Sequence, residues 1–441
     1  MPFTEILALC MIGAFFLMLL GGIPVAICLG ATGLIFGYVG FGPMLFSLLP
    51  ARIFGVVTNY TLLALPLFIF MGIMLEKSRI AEDLIEVIGL AMGGIRGGMA
   101  LAIIIVGVLM GAASGVVGAT VVTMGLIALG PVINRGYDVG VASGVICASG
   151  TLGQIIPPSL VLILLADIMG ESVGTLFAAA LIPGLMLALL FVGYILALGI
   201  VKPHLVPAIP AEERALTSGP ELAMKLLKVV LPPIALIVLV LGSIIGGVAA
   251  PTEAASMGAL GSLVLALLAG RLNLSVLTAA VRGAFITSAM VFLILIFAQP
   301  FGLAFRGLGG ERLVQDAFSL VPGGLNGQIF FLMVLLFVLG FFLEWIEISY
   351  IALPLFLPIF QAAGVDMAWL AILVGLNLQT SFLTPPFGWA LFFLKGVAPP
   401  SVKTIDIYRG VIPFIGLQLL CVSLVFFYPG MALWLPAAIG W

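Results

Sequence analysis

The sequence predicts an all-α polytopic membrane protein made of two inverted-topology repeats, each carrying a re-entrant hairpin and a broken transmembrane helix. Three observations lead there. Of 441 residues, 63% are hydrophobic and only 8% charged, more apolar surface than one soluble core can hide. Apolar runs of about 18 residues or more, the length a bilayer requires, recur along the chain. Two polar, Gly/Pro-broken stretches, Ser149–Ser159 and Asn377–Pro386, interrupt such runs, and their Pro-Pro pairs lie 228 residues apart. At the same offset Gly30 and Gly33 fall on Gly258 and Gly261, Gly136 on Gly364, and Asp138 on Asp366.

Composition also excludes functions. A net charge of -2 offers no basic surface for nucleic acid. Cys10, Cys28, Cys147 and Cys421 are scattered through apolar sequence without paired spacing, as small buried hydrophobes are. The single histidine, His204, removes bis-histidine haem and His-rich metal sites. The start, Met-Pro-Phe-Thr-Glu, has no basic region before its apolar run and reads as a first membrane helix, not a cleaved signal.

In chain order, apolar spans run over 5–21, 23–41 and 58–76, broken at Gly21-Gly22 and across Gly40–Arg52. Charges cluster early in Glu76–Gly98 while Leu84, Ile85, Ile88 and Leu90 supply an apolar face, which predicts an amphipathic helix along the membrane surface. Residues 99–130 are cut by Gly111, Ser114, Gly115 and Gly118 into two arms too short to span, so a re-entrant hairpin is expected; close helix packing at small residues is the alternative. A broken crossing over 139–170 and a further crossing over 173–200 complete a first repeat, 1–201. The Pro-rich, charged segment 202–228 is the linker. A second repeat, 229–441, has crossings near 229–247, 253–270 and 280–302, a surface segment 303–326, a hairpin 327–361, a broken crossing 367–396 and a last crossing 411–436.

Each repeat makes an odd number of net crossings, so the second sits upside down relative to the first. Charge gives the direction, because short cytoplasmic loops collect Lys and Arg. With the N-terminus outside, thirteen of the 16 basic residues fall inside and only Arg52, Arg306 and Arg312 outside. Both termini are then periplasmic. The first hairpin opens to the cytoplasm and the second to the outside.

Backbone groups without helical partners persist in a bilayer only where they are buried in protein or line a cavity. Unwound carbonyls suit a hard cation such as Na⁺, whereas half-helix N-termini suit an anion. Gly111 and Ser114 at the first hairpin tip, with Gly153, Ile156 and Pro158 at the first break, form one candidate cation site. Gly340, Ser381, Thr384 and Phe387 form the second. The simpler alternative is that Pro-Pro merely kinks two helices. Gln154, Asn377, Gln379 and Thr380 are candidates to bind a solute between the breaks, or to join helices by hydrogen bonds. Glu344 and Glu347 share a helical face in apolar sequence, either as a proton-sensitive pair or in a structural role. Asp167 is expected at the outer boundary, in contact with solvent.

No membrane-protease constellation is present, since the one histidine is in the linker and no lysine lies mid-span; nor is there a phosphate loop for ATP. A channel would need a continuous pore, while two inverted breaks suit alternating access.

The strings Gly150-Thr151-Leu152-Gly153-Gln154-Ile155-Ile156-Pro157-Pro158-Ser159, Ala113–Thr120 and Leu376–Gly388 resemble the large membrane (permease) subunit of TRAP (tripartite ATP-independent periplasmic) transporters, a similarity that runs from about Glu5 to Pro436. The resemblance implies an elevator-type secondary transporter of the bacterial inner membrane. In it Na⁺ is the coupling ion, a periplasmic solute-binding protein delivers a small organic acid, and a four-helix small membrane subunit completes the complex. By position, the family's two Na⁺ sites fall on the nine residues named above. C4-dicarboxylates and 2-oxo acids are both compatible. One departure stands out: where many relatives carry Ser-Gly-Ser-Ser at the hairpin tip, this chain has Ser114-Gly115-Val116-Val117. No extra helices precede residue 5, so the small subunit is expected as a separate polypeptide. A standalone ion-coupled carboxylate carrier of related fold is the other reading, with an ion channel behind it.

Overall fold

A computed structural model describes residues 3–210 and 219–441, apart from the side chains of Ala113 and Ser114. The middle of the linker, 211–218, thus lies outside the described residues. The described chain is helical throughout its regular structure, and eight helices are long and apolar enough to cross a bilayer, or ten when two bent pairs are each taken as one span.

The first helices are Phe3–Leu20 and Val25–Phe41. The expected loop across Gly40–Arg52 is instead a helix, Met44–Val57, with Pro50 inside it. It buries Leu45 and Leu49, one turn apart, and exposes Phe46 and Phe54. Two prolines and an arginine hid this short one-sided helix from a search for long apolar runs. A bend of 52° at Asn59 and Tyr60 then leads to Ala64–Lys77.

The amphipathic segment is the helix Ile80–Met92, but its apolar face is spent on protein. Ile80, Leu84, Ile85 and Ile88 are buried, and Arg271 fixes the charged face by donating to Asp83 Oδ1 at 2.9 Å. Its neighbour in sequence, helix Gly98–Ser114, ends at Gly115 in a left-handed turn (φ 60°) that reverses the chain. The return arm, Val117–Met124, continues through a π-helical turn to Asn134. The two ends of this excursion meet: the Tyr137 hydroxyl accepts from Met99 N at 3.2 Å, and Arg135 reaches Met99 Sδ. Burial raises the Tyr137 phenol above its ordinary range. The linker is stitched to the same place, with Val206 O accepting from Gly97 N (2.9 Å) and Gly93 O from Ile209 N (2.8 Å).

The second half holds the helices Gly219–Ile245, Pro251–Leu268 and Leu274–Gly307, the first and last longer than the expected spans 229–247 and 280–302. The amphipathic Gly310–Ser319 follows, and a 119° bend opens the arm Gly324–Leu339. The chain turns at Gly340–Leu343 and returns over Trp345–Ala362, again through a π-helical turn. Phe318 touches both arms, with ring centroids 5.5 Å from Phe331 and 4.8 Å from Phe356. Here too the arms leave and return together. The expected last crossing divides at Tyr428-Pro429 into Thr404–Phe427 and Gly430–Ala438.

Glycines set which helices pack closely. Gly30 and Gly33 lie against Phe297 and the backbone at Phe301, locking helix Val25–Phe41 to Leu274–Gly307. Gly258, one offset later, lies against Met71. A separate set, Gly107, Gly111, Gly150 and Gly153, joins the first hairpin to the first break. Small residues allow this approach where the surrounding lipid gives no hydrophobic drive between helices.

Candidate solute and cation site

Both breaks follow a helix that starts at an aspartate cap. Asp138 caps Val139–Thr151 by accepting from Val141 N (3.0 Å), and Asp366 caps Met367–Leu383 by accepting from Trp369 N (2.9 Å). Both Pro-Pro bonds, Pro157-Pro158 and Pro385-Pro386, are cis. The chain resumes as the helices Leu160–Met169 and Trp389–Val397. A proline lacks an N–H, so carbonyls upstream of each pair lose the donor a helix would supply.

At the first break, Ile155 N and Ile156 N both donate to Leu152 O (3.1 and 3.0 Å), and the Ser159 hydroxyl donates to Gln154 O (2.6 Å). Among the described residues no hydrogen bond reaches the carbonyl of Ile156 or Pro158. Gly111 lies against this turn so closely that a β-carbon on it would sit 2.6 Å from Gly153 Cα. The structure thus brings Gly111, Gly153, Ile156 and Pro158 to one buried turn beside the end of the Ser114 helix; the Ser114 side chain lies outside the described residues.

The second break repeats the approach. A β-carbon on Gly340 would collide with the Ser381 hydroxyl. Ser381 donates to Leu378 O and Thr384 to Thr380 O, each at 2.7 Å, so both oxygens keep lone pairs. Ser381 is buried and Thr384 half-buried, whereas Phe387 is exposed and packs its ring on Phe342 at 5.5 Å. Carbonyl and hydroxyl oxygens are the donor set a hard cation takes.

The four solute candidates separate. Asn377 gives its amide to Met333 O (2.8 Å) on the facing hairpin arm, while Thr380 gives its hydroxyl to Leu376 O (2.8 Å) within its own helix. Gln379 Nε2 donates to Thr151 Oγ1 at 3.3 Å, as Gln418 Nε2 does at 3.2 Å. Thr151 and Gln379 are themselves 228 apart, the spacing of the two Pro-Pro pairs. Gln154 is fully buried with neither amide atom partnered among the described residues. None of the four lines the cavity that lies between the hairpin tips.

The water-sized space in that cavity amounts to about 110 Å³. Its walls are Gly115–Gly118 from the first tip, Glu344–Ile346 from the second, Leu160 and Phe382 beside the breaks, and Leu65, Thr287 and Met290 from two long helices. The last three carry no sequence signal, being ordinary residues of apolar spans. The glutamates divide their work: Glu347 Oε2 accepts from Glu344 N (2.9 Å) and caps the returning arm, while Glu344 faces the cavity. Asp167 is not merely solvated. It accepts from the Asn59 amide and, at 2.9 Å, from the Tyr350 hydroxyl, tying helix Leu160–Met169 to the second hairpin.

The described residues thus form an all-helical, multi-span fold with two broken helices beside a cavity. The chain belongs to the family described as Tripartite ATP-independent periplasmic transporter, DctM component, which matches residues 12–431. Relatives include the C4-dicarboxylate TRAP transporter large permease proteins of Vibrio cholerae (30% identical, 95% of each chain) and Pseudomonas aeruginosa (33% identical, 91% of this chain and 92% of that one). The ectoine TRAP transporter large permease protein of Halomonas elongata is 29% identical over 98% of each chain. In fold the chain is similar to the Alcanivorax borkumensis YdaH transporter, with a TM-score of 0.61 over 98% of both chains at 14% identity. It is a multi-pass protein of the inner membrane, a transporter component and not an enzyme.

Proposed function

We propose that this protein is the large subunit of a TRAP transporter that couples inward Na⁺ flow to uptake of a small organic acid, of C4-dicarboxylate or 2-oxo acid type. The carrying observation is the paired geometry: hairpin tip against break at Gly111–Gly153 and again at Gly340–Ser381, with one cavity between the tips. Na⁺ would be held at the first pair by the free carbonyls of Ile156 and Pro158, and at the second by Ser381, Thr384 and the Phe387 carbonyl. The two units would be inverted copies. The contact of Thr151 with Gln379 supports this, because only a residue on a pseudo-twofold axis meets its own counterpart. Ile155 lies against Gly375, four residues beyond one and four before the other, as an antiparallel crossing requires. Hairpins and breaks would move together as an elevator against the helices locked by Gly30, Gly33 and Gly258.

The partners would be a small membrane subunit and a periplasmic solute-binding protein. The isethionate TRAP transporter permease protein DctMQ of Oleidesulfovibrio alaskensis supports the first: 95% of this chain aligns with 65% of that longer one at 28% identity. The test is uptake into proteoliposomes holding both membrane subunits, with the binding protein outside. Uptake should follow an inward Na⁺ gradient and collapse when K⁺ replaces Na⁺; indifference to Na⁺ would exclude the coupling.

A further inference from the structure

We infer that the hydrogen bond from Asn59 to Asp167 is a latch, which holds the hairpins and breaks against the bent helix pair in the conformation described above and opens when they move. The inference rests on the movement proposed in the preceding subsection. Asn59 lies at the 52° bend that leads into Ala64–Lys77. That helix belongs to the stationary side: Gly258 lies against its Met71, and Gly283 of Leu274–Gly307 against its Ile73. Asp167 belongs to the other side, on the helix that resumes after the first break, and Tyr350 lies in the return arm of the second hairpin. The bond therefore crosses from one body to the other.

Its polarity is fixed from the stationary side. Thr61 N donates to the Asn59 side chain at 2.9 Å, and a backbone N–H can only donate, so the atom it meets is the amide oxygen and the NH₂ is left for Asp167. Asp167 divides its two oxygens, with Oδ1 accepting from Asn59 and Oδ2 from Tyr350 at 2.9 Å. Losing Asn59 thus leaves the tie to the hairpin intact. Beside the bond the two bodies are parted by a cavity with about 250 Å³ of water-sized space. Ala298, Phe301 and Gly302 of the long helix wall it on one side, and Ile168, Ile351 and Leu355 on the other, with Asp167 and Tyr350 also at the wall. Water there can take over both ends of the broken bond, so opening exchanges partners and orphans neither group. A charge-assisted bond made in one conformation and replaced by water in the other biases the balance between them without fixing it.

The experiment measures the distance between the two bodies by double electron–electron resonance, on the purified complex of large and small subunits in lipid nanodiscs, with and without Na⁺. Spin labels go on Phe46→Cys and Glu171→Cys in a chain whose exposed Cys10 is replaced by serine. Asn59→Asp keeps an acceptor for Thr61 N but faces Asp167 with a second carboxylate. The latched distance should lose about tenfold in population relative to the alternative, equivalent to ~1.4 kcal/mol. Adding Asp167→Asn exchanges donor and acceptor, so the double variant should return to within about twofold of the starting ratio. Where Asn59→Asp does not assemble, Asn59→Ser removes the same bond, its short hydroxyl still accepting from Thr61 N. Tyr350→Phe, which cuts a bond inside the moving body, should change the ratio less than about twofold. A distance that responds to Na⁺ but not to the loss of the Asn59 amide would overturn the latch alone. A double variant no better than the single, or an equal shift in Tyr350→Phe, would also overturn it. One fixed distance in every variant, with and without Na⁺, would remove the proposed movement together with the latch.

Discussion

Ser381 and Thr384 spend their hydroxyl protons on the carbonyls of Leu378 and Thr380 and so turn lone pairs outward, which is why they are the side chains to test. Ser381→Ala or Thr384→Val should raise the Na⁺ concentration for half-maximal uptake about tenfold, equivalent to ~1.4 kcal/mol, with little change in rate at saturating Na⁺. An unaltered Na⁺ titration in both would remove the second cation site. Gly111 is a different case, since its demand is steric. Gly111→Ala pushes a methyl into Gly153 and should cost about 1–3 kcal/mol of stability, read as a lowered melting temperature in detergent. Gly193, with open space where a β-carbon would go, is the neutral comparison. At this scale the sequence identified the glycines that let the chain approach each break, Gly111 at Gly153 and Gly340 at Ser381, because close backbone approach needs that residue type. It did not separate Gln154, unpartnered, from Asn377, which is tied to Met333 O; hydrogen-bond partners are chosen by neighbours far along the chain.

Among elements, the broken helices were legible almost to the residue. Asp138 and Asp366 cap them, Pro-Pro ends them, and each signal is local. Asp138→Ala or Asp366→Ala should each lower stability by about 1 kcal/mol, seen as a shift in thermal unfolding, while Asn at either position should recover most of it. The double alanine variant should lose roughly the sum, because the two caps are distant and share no partner. Met44–Val57 and Ile80–Met92 were less legible. The first is short, contains Pro50 and shows only a narrow apolar stripe. The second has the charge pattern of a surface helix, yet it buries its apolar face on protein and clamps Arg271 through Asp83. Amphipathicity says that one face leaves water, and it does not name what covers that face.

For the whole molecule, orientation is the quantity that charge predicts and helix packing leaves open. A C-terminal alkaline phosphatase fusion should be active and a fusion within the 202–228 linker inactive; equal activity would reject periplasmic termini. By itself the sequence determined the all-helical membrane class, the 228-residue recurrence and the two breaks. These follow from composition, periodicity and the chemistry of Gly, Pro and Asp, which act within a few residues. Only the tertiary structure decided that Thr151 meets Gln379, that Asp167 joins Asn59 to Tyr350, and that Thr287, Met290 and Leu65 wall the cavity beside the hairpin tips. The reason is physical: a cavity is bounded by whichever faces of distant helices fold toward it, and along a uniformly apolar helix every face looks alike until packing selects one.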